Sequence, residues 1–139
     1  MSGKVQQLFE KSGDSEKITI NLGYVDLGRI DLLVQEGFYS NRTDFIRTAI
    51  RGQLATHAEA VAKTVVRRTL EVGLRDISRA ELETARSAGE KLDVRIVGLA
   101  RVAPDVTPEL ALATIQSLTV LGALQAGADV KSALADRIK

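Results

Sequence analysis

The chain has 139 residues, and its 19 lysines and arginines against 18 aspartates and glutamates give a formal net charge of +1. Apolar residues make up 45% of the sequence, which is enough for a buried core. A nearly neutral chain has no general attraction for a polyanion, so any nucleic-acid surface must arise from the placement of its charges. The chain has no cysteine, which excludes disulfides and thiolate metal sites, and its single histidine, His57, argues against histidine-based metal sites and triads.

The sequence shows no signature of an enzyme or of a membrane protein. No apolar run reaches the length of a membrane span, and the first residues lack a secretory signal, so we expect a cytoplasmic protein with no membrane partner. No nucleophile is paired with a base, and the glycines do not form a phosphate-binding motif. We therefore expect no enzymatic activity, no catalytic or metal-binding residues and no cofactor. Residues 1–15 are polar and are expected to form a flexible N-terminal arm.

The first predicted element is a short strand over residues 17–22, where polar and apolar residues alternate strictly. Such a strand exposes one face and buries the other. The polar face carries Lys17, Thr19 and Asn21, and the apolar face carries Ile18, Ile20 and Leu22.

Two helices are predicted to follow this strand. Apolar residues at helical spacing predict the first over about 25–36, and Gly37 is expected to end it. Ser40 is the expected N-cap of the second helix, which would continue to about Ala62 with a weak point at Gly52.

One strand and two helices do not make a complete domain. A lone strand leaves its backbone N–H and C=O groups without partners, and about 40 residues form too small a core. The simplest solution is a dimer in which residues 17–22 of two copies pair as an antiparallel ribbon.

Residues 16–50 read EKITINLGYVDLGRIDLLVQEGFYSNRTDFIRTAI. This order of strand, helix, Gly-aromatic connection and second helix resembles the ribbon-helix-helix family of bacterial DNA-binding proteins, in its CopG-type branch. The resemblance covers residues 16–54, with one departure at Tyr24, where many relatives have proline. It implies a dimeric transcriptional regulator with double-stranded DNA as its partner.

The resemblance also implies which residues face DNA. Lys17, Thr19 and Asn21 would point into the major groove, where asparagine can pair with adenine, lysine with guanine and a threonine methyl with thymine. The start of the second helix would hold a phosphate through Ser40, Asn41 and Arg42, because free N–H groups and the helix dipole favour an anion there. The alternatives are a solvated strand face and an ordinary capped helix, whose dipole Asp44 would partly satisfy.

After about residue 63 the sequence repeats itself. Short apolar segments recur at a spacing of 24 residues, each expected to be a strand that ends in glycine, with helices over 78–88, 107–115 and 129–138. A solenoid-like repeat with parallel strands is expected, and a small βαβ layer or β-hairpins remain open. The equivalent positions are Leu70, Val94 and Leu118 in one row, and Val72, Ile96 and Val120 in another.

The sequence thus predicts an α+β protein with a flexible arm at 1–15, a ribbon-helix-helix unit at 16–63 and an oligomerisation or regulatory unit at 64–139. The expected function is sequence-specific DNA binding as a transcriptional repressor. The expected assembly is an obligate homodimer that forms higher oligomers through its C-terminal unit. The alternatives are a self-assembling scaffold or filament with incidental DNA binding, and the antitoxin of a toxin–antitoxin pair. No small-molecule effector can be named.

Overall fold

A computed structural model describes residues 15–139 and divides the chain after Val61 into two compact units. The expected flexible arm at 1–15 lies outside the described residues, apart from Ser15. None of the helices between residues 15 and 139 is long and apolar enough to cross a membrane.

The described part of the first unit begins with residues 15–23, which form neither helix nor strand and are exposed. The strand predicted over 17–22 is therefore absent from the single chain, since no neighbouring segment is there to accept its backbone hydrogen bonds. Helix α1 (Tyr24–Gln35) follows and confirms the first predicted helix. Gly37 ends it as predicted, with a φ of 85°, and the Phe38 N–H donates to the carbonyl of Leu33.

Helix α2 (Arg42–Thr56) starts one residue later than predicted, because Asn41 and not Ser40 is its N-cap. The prediction of one helix as far as Ala62 is also wrong. The helix is interrupted at His57, whose N–H donates to the carbonyls of Gln53 and Leu54. Helix α3 (Ala58–Arg67) begins after this interruption.

Little of the first unit is buried. Ile30 is its only buried side chain among residues 15–61. The rings of Tyr39 and Phe45 meet edge to face, with centroids 5.0 Å apart. Ten other large apolar side chains are exposed, and so residues 15–61 do not form a complete core of their own. They are Ile18, Ile20, Leu22, Tyr24, Val25, Leu32, Phe38, Ile50, Leu54 and Val61.

The second unit contains a parallel sheet of three strands, which pair in the order in which they occur in the chain. The predicted parallel pairing is confirmed, and each strand is followed by a helix. Thr107 is the N-cap of the second of these helices, and Pro108 is its first helical residue. The elements are β1 (Glu71–Ile77), α4 (Arg79–Ala88), β2 (Leu92–Val102), α5 (Pro108–Thr114), β3 (Ile115–Gln125), α6 (Ala128–Ala133) and a 3-10 turn (Ala135–Arg137).

The helices of the second unit pack on one face of the sheet, where they bury a continuous apolar core. Leu82 of α4, Leu118 of β3 and Leu134 after α6 are at most 1% exposed. The whole cluster is Ile77, Leu82, Val94, Ile96, Ala100, Val102, Val106, Leu110, Ala111, Ile115, Leu118, Val130 and Leu134.

The predicted repeat of 24 residues holds between β2 and β3, where Val94 pairs with Leu118. It is wrong by one residue between β1 and β2, where Val72 pairs with Val97 and not with Ile96. A shift of one residue moves a side chain to the other face of a sheet. Val72 is accordingly 70% exposed, whereas Ile96 is 2% exposed.

The glycines predicted to end the strands instead lie within them. Gly73, Gly98 and Gly122 are aligned in neighbouring strands, with φ values of 130°, 140° and 126°. A Cβ atom at Gly98 would overlap the carbonyl oxygen of Gly73, and one at Gly122 would overlap that of Gly98. The sheet therefore needs glycine at these two positions for close backbone approach as well as for positive φ.

Candidate nucleic-acid interface

The three residues predicted to read bases lie in the irregular segment before α1. Lys17, Thr19 and Asn21 are all exposed, and none of them has a hydrogen-bond partner within the described chain. The apolar residues between them are exposed too, with Ile18 at 79% and Ile20 at 57%. The alternation seen in the sequence therefore has no buried side in one copy of the chain.

The first turn of α2 is closed by two side chains. The Asp44 N–H donates to Oδ1 of Asn41 at 2.8 Å, and the Ser40 N–H donates to Oδ2 of Asp44 at 2.9 Å. Ser40 and Asn41 are both good cap residues, and the carboxylate of Asp44 decides between them by holding the Ser40 N–H. In residues 15–139, the backbone N–H groups of Arg42 and Thr43 are left without an acceptor.

The Arg42 side chain, predicted as a phosphate contact, is bound to α1. Its Nε and Nη2 donate to the two carboxylate oxygens of Asp31, each at 2.8 Å. These hydrogen bonds hold the pKa of Asp31 below its usual value and raise the pKa of Arg42. Both side chains are about half exposed, so the pair is accessible to solvent and to a competing anion.

The start of α2 offers hydrogen-bond donors that suit an anion. Two free N–H groups and the positive end of a 15-residue helix point the same way. Arg42 uses two of its five N–H groups on Asp31, so the others can donate to an oxygen of a ligand. The carboxylate of Asp31 opposes a second anion, and the backbone groups are therefore the main donors.

Sequence reasoning missed the pair between Asp31 and Arg42. The two residues are 11 positions apart on different helices, so no helical spacing links them. Their meeting depends on how α1 and α2 pack, and no signal in the sequence indicates that packing.

The second unit contains a cavity of about 590 Å³ at the carboxyl ends of its strands. Its charged residues, Asp76 and Arg101, bind each other at 2.9 Å, and most of the remaining lining is apolar or backbone. In residues 15–139, no group of three or more His, Asp or Glu side chains could hold a metal ion.

In a comparison with known protein families, one family model matches residues 13–131 of this chain. The match includes α1, α2 and all three strands of the sheet. A search of curated proteins and a search of solved structures each find no match. Since the family match spans well over half of the chain, this protein belongs to the Ribbon-Helix-Helix transcriptional regulator family, which indicates a DNA-binding transcriptional regulator.

Proposed function

We propose that the protein is a dimeric, sequence-specific transcriptional repressor of the CopG type, which reads the major groove with a β-ribbon. The observation that carries this proposal is the segment 17–22. It alternates polar and apolar side chains, yet all of them are exposed in one copy of the chain. Pairing with the same segment of a second copy gives both sides of the alternation a role.

The ribbon would satisfy the backbone and the side chains together. Two antiparallel copies exchange the N–H and C=O bonds that a single copy leaves open. Ile18, Ile20 and Leu22 then turn towards the helices, where the exposed Ile50 and Leu54 of α2 supply further apolar surface. The first unit acquires a core only as a dimer, which makes the dimer obligate.

The opposite face of this ribbon would contact base edges. A two-stranded ribbon fits the width of the major groove, and Lys17, Thr19 and Asn21 would then lie along one side of it. Asn21 is the strongest candidate for specificity, because an amide can form two hydrogen bonds with adenine. Lys17 would donate to guanine, and the methyl group of Thr19 would contact thymine.

The start of α2 would anchor the DNA backbone. A phosphate would accept hydrogen bonds from the free N–H groups of Arg42 and Thr43, next to Ser40 and the cap residue Asn41. The Arg42 guanidinium would turn part of its donors from Asp31 to the phosphate. These contacts fix the position of the protein on DNA, and the ribbon supplies the sequence preference.

Charge explains why one dimer would not be enough. Residues 1–54 contain seven lysines and arginines and seven aspartates and glutamates, so the DNA-binding part has no net charge. Non-specific affinity should therefore be weak and its salt dependence shallow. Neighbouring dimers would bind side by side, held together by the C-terminal unit with its solenoid-like repeat of strands and helices, and would exclude other proteins from the site.

Selection of bound sequences from random DNA, followed by titration of the best site, tests this function. Asn21→Ala should lower affinity for the selected site by roughly 1–3 kcal/mol, about 5- to 150-fold, and relax the preference at one base pair of each half-site. Gln53→Ala, which removes an exposed amide from α2, is the matched control and should change affinity little. Failure to select any sequence, or an unchanged affinity of Asn21→Ala together with Thr19→Ala, would contradict ribbon readout.

A further inference from the structure

The sheet of the second unit has two open edges. No strand in the described chain pairs with the outer side of β1. On the outer side of β3, the chain covers one position, where the Lys139 N–H donates to the carbonyl of Leu118 at 2.9 Å and Ile138 forms a bridge. Unpaired edges of this kind accept further strands.

The two edges carry complementary halves of one backbone contact. Inside the sheet, the carbonyl of Gly73 fits against the Cα of Gly98, and that of Gly98 fits against the Cα of Gly122. The same geometry directs the carbonyl of Gly122 away from β2, towards the open edge. At the other edge, nothing lies within 4 Å of the position that a Cβ atom of Gly73 would take. Gly73 thus offers the space that Gly122 would need.

We propose that β3 of one copy pairs in parallel with β1 of a second copy, with Gly122 opposite Gly73 of that copy. The pairing repeats the alignment of glycines that joins β1 to β2 and β2 to β3. The proposed pairing begins after Leu118, because Ile138 of the same chain already pairs with Leu118 at this edge.

The side chains along the two edges support a second copy as the occupant. In the proposed register, Leu121 lies beside Val72 of the next copy, and Ala123 lies beside its Leu74. Val72, Leu74 and Leu121 are 70%, 52% and 45% exposed, although they are large and apolar. They lie on the face away from the helices of this unit, so the new strand would extend the existing apolar rows.

The charged residues of β1 do not oppose this pairing. Arg75 is bound to Glu81 of α4, and Asp76 is bound to Arg101 of β2, so both are neutralised within their own chain. The third charged residue, Glu71, would lie beside the uncharged Val120 in this register. Because the two edges are different surfaces, the contact is head-to-tail and adds copies into a ring or a filament. This inference rests on the proposed function, for which it specifies the surface that holds neighbouring dimers together.

Disulfide trapping in the full-length protein tests the register. The chain has no cysteine, so Val72→Cys with Leu121→Cys introduces the only two thiols. Within one copy, β2 separates them by two strand spacings, about 10 Å, which is too far for a disulfide. Oxidation should give a ladder of linked multimers containing most of the protein. Val72→Cys with Leu112→Cys, which places the second thiol on α5, should give no ladder. Absence of the ladder from the first variant would overturn the pairing.

Mass measurement of two lysine variants distinguishes the edge from the face of the sheet. Leu74→Lys at the edge should reduce higher assemblies to dimers, whereas Leu99→Lys on the same face of the central strand should leave them intact. The reverse result would place a second copy on the face and contradict edge pairing. Selected DNA separates this inference from the proposed function. If the unmodified protein binds the selected DNA but the Val72→Cys, Leu121→Cys variant gives no ladder, only the edge pairing is overturned. If the unmodified protein binds no DNA, the proposed function is overturned.

Discussion

The two units of this chain differ in how much core a single copy provides. The second unit buries thirteen side chains in one cluster between its sheet and helices. The first unit, over its described residues, buries only Ile30 and leaves ten large apolar side chains exposed. The second unit thus has a complete core in one copy of the chain. The described part of the first unit needs a second copy to bury its apolar side chains.

This difference assigns different physical tasks to the two units. A unit that buries its core within one chain can fold without a second copy. A unit that needs a second copy is stabilised by association, so its folding and its dimerisation are one equilibrium. Placing the proposed DNA-reading residues on the incomplete unit makes DNA binding conditional on the dimer.

The largest expected effect comes from truncating a buried side chain in the core of the second unit. Leu118→Ala should lower the free energy of unfolding by about 2–5 kcal/mol, because the side chain is fully buried and leaves a cavity. Urea unfolding at two protein concentrations measures the change, which should be the same at both. Leu112→Ala, at a partly exposed leucine of α5, should cost much less. A concentration-dependent loss in Leu118→Ala would show that this unit is not complete in one copy.

Truncating one apolar side chain of the proposed ribbon should have a smaller effect, and the effect should be on dimerisation. Ile20 is 57% exposed in one copy, so Ile20→Ala should leave the fold of the single chain unchanged. In the proposed dimer the same substitution removes about 2 kcal/mol per side chain, which raises the dissociation constant of the dimer by roughly thirtyfold for each.

Sedimentation over a dilution series measures that dissociation constant. Thr19→Ala changes the polar face of the same segment and should leave dimerisation unchanged. Equal dimer affinities for Ile20→Ala and the unmodified protein would contradict the burial of this row between two copies.

The smallest expected effect concerns the pair at the start of α2. Asp31→Asn frees Arg42 from its carboxylate, so the guanidinium should bind a phosphate more readily. DNA affinity should rise a few-fold, and the slope of log affinity against log salt concentration should steepen by about 0.9 for each additional phosphate that the protein neutralises. Asp26→Asn removes the same charge from α1 away from Arg42 and is the matched control. Identical salt slopes for the two variants would mean that Arg42 binds no phosphate when it is released from Asp31.

The sequence predicts the local features of the first unit well. Apolar spacing and Gly37 determine α1, because both act within a few residues. The cap of α2 is misplaced by one residue, since Ser40 and Asn41 are both suitable and the choice depends on Asp44. The residues proposed to face DNA follow from the family resemblance and stay a prediction.

The second unit shows where local patterns fail. The apolar repeats correctly predict parallel strands, but a spacing of 24 residues does not determine register. The structure pairs Val72 with Val97 and Gly73 with Gly98, and this register leaves Val72 outside the core. The glycines themselves look like strand ends in the sequence, since their close backbone contacts involve residues more than 20 positions apart.

Amide hydrogen exchange across residues 17–22, measured on the full-length protein bound to its selected DNA, tests directly whether two copies pair as a ribbon. In one copy of the chain these residues form no strand and are exposed, so their amides should exchange freely. We expect protection at alternate residues, as in an antiparallel ribbon, and loss of that protection when the dimer dissociates on dilution. Free exchange at all six amides in the DNA complex would contradict this pairing.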